Sequence, residues 1–202
     1  MEEIKGKNIF TVFDEVLQKS EKEKLLKQKG IAIWMTGLSG SGKTTIAKAL
    51  EKKLHTESFL TQILDGDNVR AGINNNLTFS EIDRIENIRR IAEVSKLFVE
   101  CGVITINCFV SPTIEIREMA KKIIGANYFY EVFINTPISV CEGRDVKGLY
   151  RKARNGEIKD FTGINAPFEP PIHPSINILT EGKTIDQSTL ELYKYILPKI
   201  QF

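Results

Sequence analysis

The stretch GLSGSGKTT at residues 37–45 follows the pattern G-x-x-x-x-G-K-[ST] from Gly37 to Thr44. It stands after the apolar, β-branched run IAIWMT (31–36) and before a segment with apolar residues at helical spacing (43–55). Glycines between a buried strand and a helix let backbone N–H groups turn inward around phosphate oxygens, and the helix N-terminus adds partial positive charge. The sequence therefore predicts a nucleotide phosphate-binding loop at the start of an α/β fold.

This loop contains most of the nucleotide-binding groups that we expect. Lys43 would reach the terminal phosphates, and the Thr44 hydroxyl would bind Mg²⁺ together with those phosphates. A GTPase would also need an Asn-Lys-x-Asp segment to read its base, and that segment does not occur in the sequence. We therefore favour a small-molecule kinase, with nucleotide-binding residues Gly37, Leu38, Ser39, Gly40, Ser41, Gly42, Lys43, Thr44 and Thr45.

Strand-like and helix-like segments alternate along the rest of the chain. This order predicts a P-loop kinase fold with three layers, in which right-handed crossovers join a five-stranded parallel sheet. The predicted strands are 31–37, 60–67, 103–112, 128–137 and 174–180, and the predicted helices are 11–29, 43–55, 80–102, 113–124 and 185–200.

We expect one kinase domain over residues 30–202, preceded by an N-terminal helical extension over 1–29. The polar stretch 142–174 is too long for a simple connection, and long segments of this kind are typical of a mobile lid.

Composition excludes several other classes of protein. The net charge of +2 gives no case for nucleic-acid binding. Three cysteines without a C-x-x-C spacing argue against a disulfide framework or zinc site and favour a reducing compartment. The N-terminus has acidic residues at once, unlike a signal peptide, and no apolar run reaches the roughly 18 residues of a membrane span. We expect a cytoplasmic protein without a membrane partner.

The stretch DGDNVRAG, after the second predicted strand, supplies candidate groups for the phosphoryl acceptor. Asp65 is interpreted as a cap of the following turn, and Asp67 as the group that accepts a hydroxyl proton or organises Mg²⁺. Arg70 is a candidate anion ligand. Arg84 and Asn87, three residues apart on a helix, are expected to share a face and to bind one anion.

Aromatic and cationic residues complete the candidate site. Phe79 is either a hydrophobic staple for the following helix or a surface on which a base stacks, and Phe161 is a second base-stacking candidate. Ser111 ends the third strand, at the edge where open α/β sheets bind ligands. Lid cations would close over the triphosphate; they are Arg144, Lys147, Arg151, Lys152, Arg154 and Lys159.

Together, the segments GLSGSGKTT, DGDNVRAG, FSEIDRIENIRRIAEVSKLF, FVSP and CEGRDVKGLYRKARNGEIKDFTGINAPFEPP resemble adenylylsulfate kinase in order and spacing, over about residues 30–180. The resemblance implies transfer of the γ-phosphate of ATP, with magnesium, to the 3′-hydroxyl of adenylylsulfate in sulfate assimilation. It implies catalytic roles for Lys43, Asp67 and Ser111, the last sometimes assigned as a phosphorylated intermediate that in-line transfer does not need. The implied substrate-binding residues are Asp67, Asn68, Val69, Arg70, Phe79, Arg84, Asn87, Val110, Ser111, Lys147, Leu149, Phe161, Thr162 and Gly163, with Phe79 and Phe161 on either side of the adenine.

Three residues depart from the family pattern: Thr78, Asn165 and Phe168 stand where glycine, aspartate and tyrosine are usual. No sulfurylase-like region follows Phe202, so we expect a stand-alone kinase, and the family implies a homodimer. Two alternatives stay open: a P-loop kinase for another hydroxylated acceptor, and a non-catalytic regulator that binds adenylylsulfate or ATP.

Overall fold

The structure is a computed structural model that describes residues 11–202. Its strands are β1 Ala32–Thr36, β2 Thr61–Asp65, β3 Ile104–Cys108, β4 Phe129–Asn135 and β5 Ile176–Leu179. Its helices are α1 Lys19–Leu26, α2 Lys43–Thr56, α3 Gly66–Ala71, α4 Glu81–Glu100, α5 Ile114–Ile124, α6 Ile138–Arg144, α7 Leu149–Arg154 and α8 Ile185–Ile200. None of the helices within residues 11–202 has the length and hydrophobicity of a membrane-spanning segment.

The strands form one parallel sheet in the order β2-β3-β1-β4-β5, which confirms the predicted fold. The central strand β1 alternates between two apolar clusters, one on each face of the sheet. Ile33 and Met35 pack with residues of α2 and α8, whereas Trp34 packs with residues of α4 and α5. Helices therefore cover both faces, which is the three-layer arrangement expected for a buried parallel sheet.

The predicted helix over 11–29 is wrong for its first part. Residues 13–16 form turns, and α1 covers only Lys19–Leu26, with no buried residue. Helices in proteins gain most of their stability from packing one face against the rest of the protein. Residues 11–18 are all exposed, whereas α1 half-buries Lys19, Lys22, Glu23 and Leu26. The remainder of the predicted extension, residues 1–10, lies outside the described residues.

The second strand is shorter than predicted, and a helix absent from the sequence prediction follows it. β2 ends at Asp65, whose side chain accepts a hydrogen bond from the backbone N–H of Asp67 and so begins α3. Asp67 therefore lies in the first turn of a helix and not at the end of a strand. The interpretation of Asp65 as a cap is confirmed.

Candidate active site

The phosphate-binding loop depends on glycine at defined positions. Gly37 has a φ of 146°, and a Cβ there would lie 2.5 Å from the carbonyl oxygen of Ile134. Gly42, at the N-terminus of α2, has a φ of 107°. Both values lie in the left-handed region that side chains rarely adopt. The backbone of residues 37–44 therefore keeps the curvature that directs N–H groups to an anion.

Lys43 is buried against this loop. Its Nζ donates hydrogen bonds to the carbonyl oxygens of Gly37 and Leu38, each at 2.8 Å. Burial lowers the pKa of Lys43 from 10.5 to about 8. Lys43 therefore begins to lose its charge only slightly above neutral pH. An anionic phosphate beside the amine would favour the charged form.

Thr44 and Asp65 join the phosphate loop to the acceptor side. The Thr44 hydroxyl donates to Oδ2 of Asp65 at 2.7 Å, while Oδ1 accepts from the N–H of Asp67 at 3.1 Å. A hydroxyl and a carboxylate side by side offer the hard oxygen ligands that Mg²⁺ prefers, so these residues fit a magnesium ion. Residue pattern alone predicts only a capping role for Asp65; its position at the end of a strand, near the phosphate loop, is the signal in the sequence for this second role.

Asp67 faces the lid. Its carboxylate is 72% exposed and forms an ion pair with Nζ of Lys147, which lies between α6 and α7. The structure thus brings together an acceptor-side carboxylate and a lid cation that are 80 residues apart in sequence. The other three α3 residues in the predicted pocket differ in exposure: Asn68 is exposed, Arg70 is half-buried and Val69 is buried in the core.

Arg70 and Phe79 form one surface beside Asp67. The Arg70 guanidinium lies 4.4 Å from the centre of the Phe79 ring and donates to the carbonyl oxygen of Thr78 at 2.8 Å. The Phe79 ring is 68% exposed, and Arg84 occupies the position that would complete a staple. The staple interpretation is therefore wrong, and the ring is exposed beside Arg70, as stacking on a flat ligand would require.

Arg84 connects α4 to the lid. Its Nη2 donates to the carbonyl oxygen of Asp160 at 2.8 Å, and its Nη1 donates to the Thr162 hydroxyl at 3.3 Å. Asn87 is only 4% exposed, and its Oδ1 accepts from Asn74 at 3.0 Å. Although one helix carries both, Arg84 and Asn87 have separate partners, and the predicted shared anion site is not formed by this arrangement.

Ser111 is turned into the fold. It is 2% exposed, and its Oγ accepts a hydrogen bond from Nε1 of Trp34 at 3.1 Å. The neighbouring Val110 carbonyl accepts from the Thr36 hydroxyl at 2.6 Å. Because the Ser111 hydroxyl is engaged inside the protein, this geometry argues against a phosphorylated Ser111 in the reaction.

The lid lies against the phosphate loop near its start and around residues 163–168. Nη1 of Arg144 donates to the Gly40 carbonyl at 3.1 Å, close to the first turn of α2. Further along, Leu149 begins α7, and a cavity of about 550 Å³ lies between Leu38 and the segment 163–168, which starts at Gly163. Of the other predicted lid cations, Arg154 pairs with Glu142 within the lid, and Arg151, Lys152 and Lys159 are exposed.

The three residues that depart from the family pattern have local partners. The Thr78 N–H donates to Asp83 at 2.8 Å in the loop before α4. Oδ1 of Asn165 accepts from the N–H of Phe161, and the Phe168 ring stacks on Phe133 at 5.9 Å between centres. Each departure thus supports the backbone or packing beside the site and leaves Asp67 and Lys43 in place.

Comparison with known proteins gives the same assignment as these motifs. The family model described as adenylylsulphate kinase matches residues 29–179. An adenylyl-sulfate kinase of Bacteroides fragilis is 58% identical over 193 residues, which is 96% of each chain. The structure of the Mycobacterium tuberculosis APS kinase CysC in complex with AMPPNP and APS has a TM-score of 0.80 and 43% identity, and the match covers 84% of this chain and 98% of that one.

A hexameric APS kinase from Thiobacillus denitrificans aligns with a TM-score of 0.66 and 25% identity over 89% of this chain and 32% of its own. The match of the family model to most of the sequence and the close relatives agree with the phosphate loop, with Asp65 and Asp67 at the start of α3, and with the basic lid. The chain belongs to the adenylylsulfate kinase family.

Proposed function

We propose that the chain transfers the γ-phosphoryl group of ATP to the 3′-hydroxyl of adenylylsulfate, giving 3′-phosphoadenylylsulfate and ADP in sulfate assimilation. One observation carries the proposal: the two oxygens of Asp65 bond Thr44 of the phosphate loop and the N–H of Asp67. An acceptor-side carboxylate is thereby held beside the donor loop, as in-line transfer between two bound nucleotides requires. Family membership supplies the identity of the acceptor.

On the donor side, the backbone of residues 37–45 would bind the phosphates of ATP, and Lys43 would contact the terminal ones. Lys43 would exchange its bonds to the loop carbonyls for phosphate oxygens. Thr44, with Asp65 beside it, would hold Mg²⁺, which when bound neutralises charge on the phosphate oxygens.

On the acceptor side, Asp67 would accept the proton of the 3′-hydroxyl of adenylylsulfate. The 3′-oxygen would form a bond to the γ-phosphorus of ATP, while the bond from the γ-phosphorus to the oxygen bridging it to the β-phosphate breaks and ADP leaves. Lys147, paired with Asp67 in this structure, would stabilise charge on the transferred group. Phe79 and Phe161 would stack on the adenine. The remaining acceptor residues are Asn68, Val69, Arg70, Arg84, Asn87, Val110, Ser111, Leu149, Thr162 and Gly163.

The test is a coupled ADP-release assay with magnesium-ATP, with and without adenylylsulfate, and with other nucleosides as controls. ADP release that requires adenylylsulfate, with the phosphorylated product identified by mass, supports the proposal. ADP release with a different acceptor, and not with adenylylsulfate, shows that the protein is a kinase for another substrate. If the folded protein binds adenylylsulfate but releases no ADP, it is a non-catalytic regulator and not a kinase.

The assembly and location are part of the proposal. We infer a cytoplasmic homodimer of one kinase domain over residues 30–202, with the lid over 142–174 and the extension over 1–29. Val12, Phe13, Val16 and Leu17 of the extension are between 49% and 67% exposed, which is apolar surface suited to a subunit contact. All three cysteines lie among the described residues and are free, as a reducing compartment favours. Sedimentation of the full chain tests the dimer, and a full chain that is monomeric at all concentrations contradicts it. A form lacking residues 1–17 tests the contact and is expected to dimerise more weakly.

A further inference from the structure

Tyr150 contacts both the phosphate loop and the acceptor side of the site. It is the second residue of α7 and is 2% exposed. Its hydroxyl donates to the carbonyl oxygen of Ser39, in the phosphate loop, at 2.9 Å. Its ring meets that of Phe161 edge to face, with 5.0 Å between centres and 79° between planes. The Tyr150 side chain therefore contacts both the phosphate-binding loop and Phe161, the candidate base-stacking ring.

The base of this side chain is fixed. The N–H groups of Tyr150 and Arg151 donate to the two carboxylate oxygens of Asp145 at 2.9 and 3.0 Å, which caps the start of α7. With its backbone held and only two rotatable side-chain bonds, the tyrosine loses little further freedom when it joins two elements.

The bond to Ser39 bears on the shape of the phosphate loop. In a planar trans peptide, the carbonyl of Ser39 and the N–H of Gly40 point in opposite directions. When the Tyr150 hydroxyl holds the Ser39 carbonyl, it also aims the Gly40 N–H away from the lid helix. Burial raises the pKa of Tyr150, so the hydroxyl remains protonated and available as a donor.

The ring contact bears on the acceptor. Phe161 is followed by Thr162, whose hydroxyl is bonded by Arg84, and by Gly163, which lines the cavity beside Leu38. An edge-to-face contact restrains the plane of the Phe161 ring. That plane decides whether an adenine stacks on it.

We propose that Tyr150 is a positioning residue that couples nucleotide binding at the phosphate loop to acceptor binding on Phe161. A nucleotide that orders the Ser39–Gly40 peptide strengthens the Tyr150 bond, which orders the Phe161 ring for the second nucleotide. By linkage, adenylylsulfate raises the affinity for the donor nucleotide by the same factor. This inference rests on the proposed function, because it names what Phe161 binds.

The experiment uses Tyr150→Phe, which keeps the ring and deletes the hydroxyl. Calorimetry measures the Kd of adenylylsulfate with and without a non-hydrolysable ATP analogue. In the parent protein the analogue lowers this Kd. In the variant that effect shrinks by about two- to tenfold, the range for one lost hydrogen bond, while the Kd without analogue changes by less than about twofold.

Tyr193→Phe is the matched control. The Tyr193 hydroxyl donates to Glu57 at 2.6 Å at the far end of α2, so its loss leaves the coupling unchanged. Phe161→Leu is the second variant: it keeps the Ser39 bond, and it is expected to weaken acceptor binding and abolish the coupling together.

An unchanged coupling factor in folded Tyr150→Phe overturns the inference, as does a parent protein without coupling. These results are distinguishable from failure of the proposed function. When only the inference fails, the parent protein still phosphorylates adenylylsulfate. When the proposed function fails, the parent protein does not phosphorylate it.

Discussion

The hydroxyl of Thr44 and the carboxylate of Asp65 are hydrogen-bonded at 2.7 Å, although the two residues come from different elements of the sheet and its helices. Thr44 lies in the first turn of α2, and Asp65 ends β2. The pair stands at the carboxyl ends of the strands, where ligands bind in open α/β sheets. It also places α3, and with it Asp67, against the phosphate loop.

Replacing Asp65 by asparagine is expected to impair magnesium use more than folding. Asparagine caps helices about as well as aspartate, so α3 and the melting temperature should be retained. The negative charge beside Thr44 is lost, and we expect activity to fall about 10- to 100-fold with a higher Mg²⁺ requirement. Activity titrated against Mg²⁺ checks this; an unchanged magnesium curve would rule out the ion-holding role.

Asp67→Asn separates chemistry from binding. Removal of a general base lowers kcat by about 10²- to 10⁴-fold, whereas the side chain is exposed and its amide replacement disturbs little packing. The Kd of adenylylsulfate, measured by calorimetry, should change by less than about tenfold if binding rests on the other acceptor groups. Unchanged kcat would remove Asp67 from the mechanism.

Arg84→Gln is expected to act on the acceptor and not on ATP. Arg84 bonds Asp160 and Thr162 of the lid, and loss of charged hydrogen bonds should raise the KM for adenylylsulfate by about 10- to 100-fold. The KM for ATP should stay within about twofold. Arg89→Gln is the control, because Arg89 lies on the same helix but bonds Glu86. Equal effects of the two variants would refute a specific role of Arg84.

Nucleotide affinity should fall at alkaline pH. Burial lowers the pKa of Lys43 in the free protein to about 8, and phosphate raises it in the complex. The charged form binds the phosphates, so affinity is full below pH 8 and declines above it. Calorimetry of an ATP analogue in buffers of different ionisation enthalpy should detect proton uptake above pH 8. Binding without proton uptake there would show that Lys43 keeps its charge in the free protein.

Gln28 is expected to hold the end of α1 to the domain. It is 1% exposed, donates to the carbonyl oxygens of Leu60 and Gly102 at 3.0 and 2.8 Å, and accepts from the Leu60 N–H at 2.7 Å. Gln28→Ala leaves these buried groups unpaired and should lower the free energy of unfolding by about 2 kcal/mol. Denaturant unfolding measures this, with exposed Gln62→Ala as control. Equal stabilities of the two variants would contradict the anchoring role.

The order of the five strands along the chain and the position of the phosphate loop followed from the sequence alone, whereas the short helices α3, α6 and α7 did not. The last helix has the predicted bounds, Ile185–Ile200, and α4 begins next to Ser80, where its predicted helix begins, with the Ser80 hydroxyl accepting from the Asp83 N–H. These features depend on neighbours within a few residues: apolar periodicity, capping side chains and glycines with positive φ. Interactions between residues a few positions apart depend on the local sequence alone, so they can be predicted without the tertiary structure.

The partners of individual polar side chains were decided by the tertiary structure. Arg84 and Asn87 share a helix and were expected to share an anion, yet one bonds the lid and the other bonds Asn74. The sequence pattern predicts Asp65 as a cap but not as the partner of Thr44, and it predicts no contact of Tyr150 with the phosphate loop. Helical spacing predicts which side chains are neighbours on one helix. The groups that those side chains contact depend on how elements distant in sequence pack against that helix. Contacts across 78 residues, as from Arg84 to Thr162, or 111, as from Ser39 to Tyr150, form only once the sheet and the lid are assembled.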